Sequence, residues 1–126
     1  MCDFAFVLLA GGSGSRLGSA IPKQFTRVAG KTILEHSFGI LHRFAPDARI
    51  VVTVPADALE HARELCKGSK AEVIVGGSSR QASAYAAMQH LEEKPPKYVI
   101  LHDAARPFLS HQILHDMVEA LKRHEA

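Results

Sequence analysis

The chain has 126 residues, a formal net charge of +2 at pH 7, 47% hydrophobic residues and 22% charged residues. These values are ordinary for a globular protein and provide for one hydrophobic core, so we expect a single domain over residues 1–126. The net charge is too small to indicate a nucleic-acid partner, and the chain has no run of like charges, so no nucleic-acid partner is expected.

The apolar run Phe4–Ala10 is too short to span a membrane and lacks the basic flank of a signal peptide. We therefore expect no membrane partner. The two cysteines, Cys2 and Cys66, show neither metal-ligand spacing nor a disulfide framework. Two such thiols fit a reducing compartment, so a cytoplasmic location is expected.

Strand-like and helix-like segments alternate from the first residues onward. Phe4–Ala10 is continuously apolar, as in a strand that is covered on both faces. Gly11–Gln24 is rich in Gly and Ser and predicts a long loop. The segment Thr32–Arg43 predicts a helix, because Thr32 and Glu35 have the spacing of a capping box ahead of an apolar stripe.

The second half of the chain continues the alternation. The predicted elements are a strand at Ile50–Val54, a helix at Ala56–Cys66, a strand at Glu72–Val75, a helix capped by Ser78 or Ser79 that runs to about Leu91, a strand at Tyr98–His102, a loop at Asp103–Pro107 and a helix at Ser110–Arg123. The last helix is expected to present one apolar face, formed by Ile113, Leu114, Met117, Val118 and Leu121.

This alternation predicts an α/β fold of Rossmann-like type, with a mostly parallel sheet and helices on both faces. Ligands of such sheets bind beyond the carboxyl ends of the strands. The three unusual loops of this sequence follow Ala10, Val75 and His102, and all three are expected at that edge.

The first loop has the composition of a triphosphate site. Its glycines allow backbone N–H groups to approach an anion closely, and Arg16 and Lys23 add two positive charges. The alternative is a flexible Gly-Ser loop with solvated basic residues. Because the glycines, Arg16 and Lys23 occur together directly after a buried strand, the triphosphate site is favoured over this alternative.

Other ligand motifs do not fit. The dinucleotide-binding fingerprint needs a third glycine at the position of Leu17. A Walker loop that ends in Gly30-Lys31-Thr32 needs its first glycine at the position of Phe25. We interpret Gly30-Lys31 as a turn into the Thr32 helix. His111 and His115 have metal-ligand spacing, but solvated helix-face histidines are favoured.

The second and third loops are weaker signals when taken alone. Gly76–Arg80 opens a helix whose first turn includes Ser83, so it offers N–H groups and a hydroxyl to a base, although an ordinary capped turn is favoured. Asp103 could hold a ribose hydroxyl or Mg²⁺. Arg106 could bind phosphate or merely pair with Asp103, and these two readings are evenly balanced.

Taken together, three groups of residues resemble the 2-C-methyl-D-erythritol 4-phosphate cytidylyltransferase family over essentially the whole chain. They are Ala10-Gly11-Gly12-Ser13-Gly14-Ser15-Arg16-Leu17-Gly18 with Pro22-Lys23-Gln24-Phe25 and Gly30-Lys31, Gly76-Gly77 with Arg80 and Ser83, and His102-Asp103-Ala104-Ala105-Arg106-Pro107.

The resemblance implies a role for each matching residue. Arg16 and Lys23 would be the catalytic contacts with the triphosphate. The nucleotide would be bound by Ala10, Gly11, Gly12 and Gly14 through the backbone, by Gly77, Ser78 and Ser83 at the cytosine, and by Asp103 and Ala104 at the ribose. Arg80 and Arg106 would support the loops and the substrate side, and the family's metal-side carboxylate would lie beyond the position of Ala126.

The resemblance also implies the reaction and its setting. The enzyme would transfer CMP from CTP to 2-C-methyl-D-erythritol 4-phosphate with Mg²⁺, releasing pyrophosphate in the non-mevalonate route to isoprenoids, and would be a homodimer at full length. The family often has an acidic residue at the position of Ser78. Its chains also continue well beyond the position of Ala126, so we expect a truncated, N-terminal portion.

Two alternatives stay open. Ribitol-5-phosphate cytidylyltransferases share much of the pattern. The segment Leu9-Ala10-Gly11-Gly12 is more similar to these enzymes, whereas Ala104-Ala105 is more similar to the methylerythritol enzymes. The other alternative is a non-catalytic nucleotide-binding fragment.

Overall fold

A computed structural model describes residues 3–10, 27–104 and 110–123 of the chain. Its elements are β1 (Phe4–Leu9), β2 (Arg27–Val28), β3 (Lys31–Thr32), α1 (Ile33–Phe44), β4 (Arg49–Val54), a 3₁₀ turn (Ala56–Ala58), α2 (Leu59–Leu65), β5 (Glu72–Val75), α3 (Arg80–Leu91), β6 (Tyr98–Asp103) and α4 (His111–Arg123). The strands and helices predicted within these ranges are present, with small differences at their ends. The predicted loop Gly11–Gln24 lies outside them.

Four strands form a parallel sheet in the order β5-β4-β1-β6, which confirms the predicted α/β fold. The chain builds outward from β1 to β4 and β5, and then crosses back to place β6 on the other side of β1. This reversal creates a switch point between β1 and β6, where doubly wound sheets bind their ligands.

Strand β1 is buried from Ala5 to Leu9, which explains its unbroken apolar sequence. Its side chains alternate between two cores. Phe6 and Leu8 pack with residues of α1, α2 and α4, whereas Ala5, Val7 and Leu9 pack with α3. The sheet is therefore covered by helices on both faces, as predicted.

Helix α1 begins as its sequence predicts. The Thr32 hydroxyl accepts a hydrogen bond from the Glu35 N–H, and the Glu35 carboxylate accepts one from the Thr32 N–H, so the capping box is complete. Ile33, Leu34 and Leu41 are buried.

The structure corrects the sequence interpretation at several points. Ala29 and Gly30, with φ of 53° and 84°, connect β2 and β3 in a short antiparallel hairpin, so Gly30-Lys31 is more than a turn into the helix. Ile113 is 48% exposed whereas Leu114 is buried. Adjacent helical residues point about 100° apart, so Ile113 does not share the buried stripe.

Two element ends also differ from prediction. Residues 56–58 form a 3₁₀ turn, so regular helix begins only at Leu59. Asp103 pairs with Leu9 and is the last residue of β6 instead of the first residue of a loop. None of the helices in the described ranges combines the length and apolar character needed to cross a bilayer.

Candidate active site

A cavity of about 310 Å³ opens at the carboxyl ends of the strands. It is lined by Leu9 from β1, Gly77, Ser78 and Ser79 from the turn after β5, Arg80 and Ser83 from α3, and Asp103 from β6. Two of the three predicted loops therefore meet beside the end of β1, as the sequence predicts. Gly11, Gly12, Gly14, Arg16, Lys23 and Arg106 lie outside the described residues.

The turn after β5 needs glycine because it packs tightly against α3. A Cβ on Gly76 would lie 2.6 Å from Ser83 Oγ, and a Cβ on Gly77 would overlap the Cβ of Ala82. The N–H of Gly76 donates to the Val54 carbonyl over 2.8 Å, which continues the sheet into the turn. The two glycines thus bring the backbone of the turn directly onto the first turn of α3.

Ser79, and not Ser78, caps α3. Its hydroxyl accepts a hydrogen bond from the Ala82 N–H over 3.0 Å, which satisfies one of the unpaired donors at the helix start. Ser78 is exposed and lines the cavity. The sequence offered either serine as the N-cap of this helix. The backbone of the turn gives the two serines their different roles.

Ser83 is 3% exposed and binds the turn from below. Its hydroxyl accepts from the Gly77 N–H over 3.1 Å and lies 3.4 Å from the Gly77 carbonyl oxygen. Because a hydroxyl has two acceptor positions, one remains for a further donor. Ser83 therefore braces the turn and also reaches the cavity.

Asp103 forms the opposite wall of the cavity. Its Oδ1 lies 3.4 Å from Arg80 Nε, and the two side chains are 36% and 61% exposed. An exposed ion pair at this distance contributes little to stability. Arg106, the partner of Asp103 that the sequence offered, lies outside the described residues.

Ala104 is fully buried and fixes the backbone beyond Asp103. Its N–H donates to the Leu9 carbonyl over 3.0 Å, and its carbonyl accepts from the Ser37 hydroxyl over 2.8 Å. Ser37 was missed by the sequence interpretation, although a serine inside the apolar stripe of α1 is a signal. The N–H of Ala10 donates to the Thr53 carbonyl over 2.8 Å, which holds the end of β1 against β4.

A sequence model of the 2-C-methyl-D-erythritol 4-phosphate cytidylyltransferase family, IspD, matches residues 4–126. The chain belongs to this family. IspD-family members are cytidylyltransferases, so the cavity lies in an enzyme fold of that class. Its position at the strand ends agrees with the family's nucleotide chemistry.

Named relatives and a solved structure agree with the family. The chain is 38% identical to the 2-C-methyl-D-erythritol 4-phosphate cytidylyltransferase of Thermotoga neapolitana, covering 90% of this chain and 51% of that protein. It is 33% identical to the Haemophilus influenzae protein named bifunctional ribulose 5-phosphate reductase/CDP-ribitol pyrophosphorylase Bcs1, covering 95% of this chain and 26% of that protein.

The bifunctional IspDF structure from Campylobacter jejuni superposes with a TM-score of 0.80 at 27% identity, covering 95% of this chain and 31% of that one. The chain thus spans between about a quarter and about a half of the length of these three proteins.

Groups outside the cavity have structural roles in this IspD-family chain. Within the described ranges, no three His, Cys, Asp or Glu side chains are grouped to bind a metal. The His111 ring packs edge-on against Phe44, with centroids 4.9 Å apart. Burial raises the pKa of the Cys66 thiol to about 11, so this cysteine is a protonated side chain packed against the core.

Proposed function

We propose that the protein transfers the cytidylyl group of CTP to 2-C-methyl-D-erythritol 4-phosphate and releases pyrophosphate. The observation that carries this proposal is the meeting of the Gly76–Ser83 turn and Asp103 beside the end of β1, in a chain of the IspD family. The turn offers backbone groups and a hydroxyl for a base, and Asp103 offers a carboxylate for the sugar side of the nucleotide.

In this reaction a phosphate oxygen of the polyol phosphate attacks the α-phosphorus of CTP. A new P–O bond forms, and the bond between the α-phosphorus and the pyrophosphate oxygen breaks. The attacking phosphate is already anionic at neutral pH, so a strong general base is not needed. The protein has to align the two reactants and to neutralise the charge on the departing pyrophosphate. We assign the neutralisation to Arg16 and Lys23.

Asp103 fits a magnesium ion at this edge. Mg²⁺ is commonly bound by one or two carboxylates together with substrate phosphates, and Asp103 stands at a strand end in the cavity. When bound, the ion supplies positive charge beside the phosphates. Asp103 would hold it, while Arg80 keeps the carboxylate oriented from the first turn of α3.

Ribitol 5-phosphate is the second candidate acceptor. The 33% identity to the Haemophilus influenzae protein with a CDP-ribitol pyrophosphorylase name favours it, as does Leu9-Ala10-Gly11-Gly12. The two candidates share the nucleotide chemistry and differ only in the polyol that is placed in line.

Pyrophosphate release from CTP and Mg²⁺ with each polyol phosphate tests both candidates. We expect the 126-residue chain to be a poor catalyst alone and the full-length protein to turn over 2-C-methyl-D-erythritol 4-phosphate. Turnover of ribitol 5-phosphate alone by the full-length protein would assign the second activity. CTP binding by the full-length protein without any turnover would contradict the transferase proposal and favour a nucleotide-binding unit.

Replacing Lys23 tests the assigned chemistry. In the full-length protein, Lys23→Ala should lower kcat by about a hundredfold, because a charge that is needed most in the transition state is lost. Lys67→Ala removes an equally charged but exposed side chain after α2 and serves as the control. Equal kcat values for the two variants would contradict the role of Lys23.

A further inference from the structure

Thr53 carries a buried hydroxyl at the edge of the candidate site. The residue is fully buried near the carboxyl end of β4, and within the described part of the chain its Oγ1 has no hydrogen-bond partner. An unpaired buried hydroxyl is unfavourable by about 1–3 kcal/mol. Valine has the same shape and fills the neighbouring positions 52 and 54, so packing alone does not explain a threonine here.

The Thr53 side chain lies next to the turn that lines the cavity. A Cβ added to Gly76 would be 3.2 Å from Thr53 Cβ and 2.6 Å from Ser83 Oγ. Thr53 and Ser83 therefore both lie close to Gly76, and the absence of a Gly76 side chain lets both approach it.

Ser83 currently uses its hydroxyl on Gly77. It accepts from the Gly77 N–H over 3.1 Å, while the contact with the Gly77 carbonyl is long, at 3.4 Å. A base that binds at the turn competes for the same Gly77 backbone groups, a step that rests on the proposed function. Ser83 would then need another partner to stay in place.

We propose that Thr53 is a positioning residue for the nucleotide base. Its O–H donates to Ser83 Oγ when the base takes the Gly77 N–H, so that Ser83 keeps its orientation toward the cavity. The hydroxyl is unpaired in the free protein and paired in the complex. Binding therefore removes the free-energy penalty of the unpaired hydroxyl, which strengthens CTP affinity.

Two substitutions of Thr53 separate this role from packing. Thr53→Val keeps the shape and removes the hydroxyl. It should weaken CTP binding about fivefold, the value of one ordinary hydrogen bond, while the melting temperature of the free protein stays level or rises. Thr53→Ser keeps the hydroxyl and removes a methyl group, so it should bind CTP within about twofold of the parent but melt a few degrees lower.

Calorimetry with CTP and thermal unfolding of the free 126-residue protein measure both properties. Thr53→Val added to Ser83→Ala should cause no further loss of affinity, since both act through one contact. If Thr53→Val bound CTP as tightly as the parent, or if its free form melted at a lower temperature, the proposed role of Thr53 would be overturned while the proposed function would stand. Failure of the parent chain to bind CTP would overturn the proposed function and this role together.

Discussion

Gly77 shows at the residue scale why the turn after β5 tolerates only the smallest side chain. The Cβ of any other residue would overlap Ala82 at the start of α3. Gly77→Ala should therefore lower the free energy of unfolding by about 1–3 kcal/mol and weaken CTP binding, because turn and helix must move apart. Chemical denaturation and calorimetry measure the two effects.

Gly39 provides the matched control for Gly77. It lies inside α1, where an added Cβ would meet the far end of the flexible Arg43 side chain at 3.2 Å. Gly39→Ala should leave the protein equally stable or more stable by up to about 1 kcal/mol, since alanine favours helix. Similar losses in both variants would contradict steric overlap as the cause at Gly77.

Ser37 gives a second prediction at this scale. It is 1% exposed, and its hydroxyl donates to the carbonyl of Ala104 just beyond Asp103. Ser37→Ala leaves a buried carbonyl with one hydrogen bond fewer and should lower the free energy of unfolding by about 1–3 kcal/mol.

Ser69 is the control, since its hydroxyl also donates to a backbone carbonyl, that of Cys66, and accepts from the Ala71 N–H, but is exposed. Water can replace both bonds, so Ser69→Ala should change stability by less than about 0.5 kcal/mol. Equal effects of the two substitutions would show that the Ser37 bond does not depend on burial.

At the scale of elements, a charge cluster joins β4, β5 and α3 at the end of the sheet opposite the cavity. Glu72 accepts two hydrogen bonds from Arg49, at 2.6 and 2.9 Å, and His90 Nε2 lies 2.8 Å from its Oε1. Arg49 also donates to the Lys94 carbonyl. The cluster thus fixes the far end of α3, whose first turn lines the cavity.

The hydrogen bonds from Arg49, more than the nearby His90, hold the pKa of Glu72 below its ordinary value of 4.5. The stabilisation by the ionised carboxylate is therefore present above about pH 4.5 and is lost as the pH falls through the lower, folded-state pKa. Glu72→Gln should be less stable than the parent at pH 7, and the difference should shrink below pH 4.5.

Urea unfolding at several pH values measures this difference. Glu64→Gln, which changes an exposed carboxylate on α2, is the control and should track the parent at every pH. A stability difference for Glu72→Gln that does not change between pH 7 and pH 3 would contradict a role of Glu72 ionisation.

At the scale of the whole molecule, the strand order decides where a ligand binds. Because β1 lies between β4 and β6, the ends of β1 and β6 and the turn after β5 border one crevice. The cavity of about 310 Å³ lies at the lower end of the range of small-molecule sites, and the narrow Gly76–Ser83 turn lines it. We therefore expect CTP to bind more tightly than ATP or GTP and to raise the melting temperature more at equal concentration.

Calorimetry with the three nucleotides checks this preference. UTP is the matched control for ring size, because it shares the pyrimidine ring of CTP and differs in the groups that face the turn. Purine binding as tight as CTP binding would contradict a cavity that selects by size.

Much of this protein follows from local sequence pattern. The apolar run of β1, the capping box of α1 and the alternation of strands with helices depend on neighbouring residues, and they predict the parallel sheet. The convergence of the turn after β5 with Asp103 also follows, since parallel strands place their carboxyl ends on one edge. The family resemblance carried the assignment of nucleotide chemistry.

Tertiary structure decided what depends on contacts between distant segments. Two such contacts are the pairing of Arg80 with Asp103 and the hydrogen bond from Ser37 to Ala104, which join residues far apart in sequence. The burial of the Thr53 hydroxyl without a partner also depends on tertiary packing. No periodicity encodes them, because each depends on how a helix is placed on the sheet. Local pattern fixed which segments are strands and helices, while packing decided which side chains meet at the strand ends.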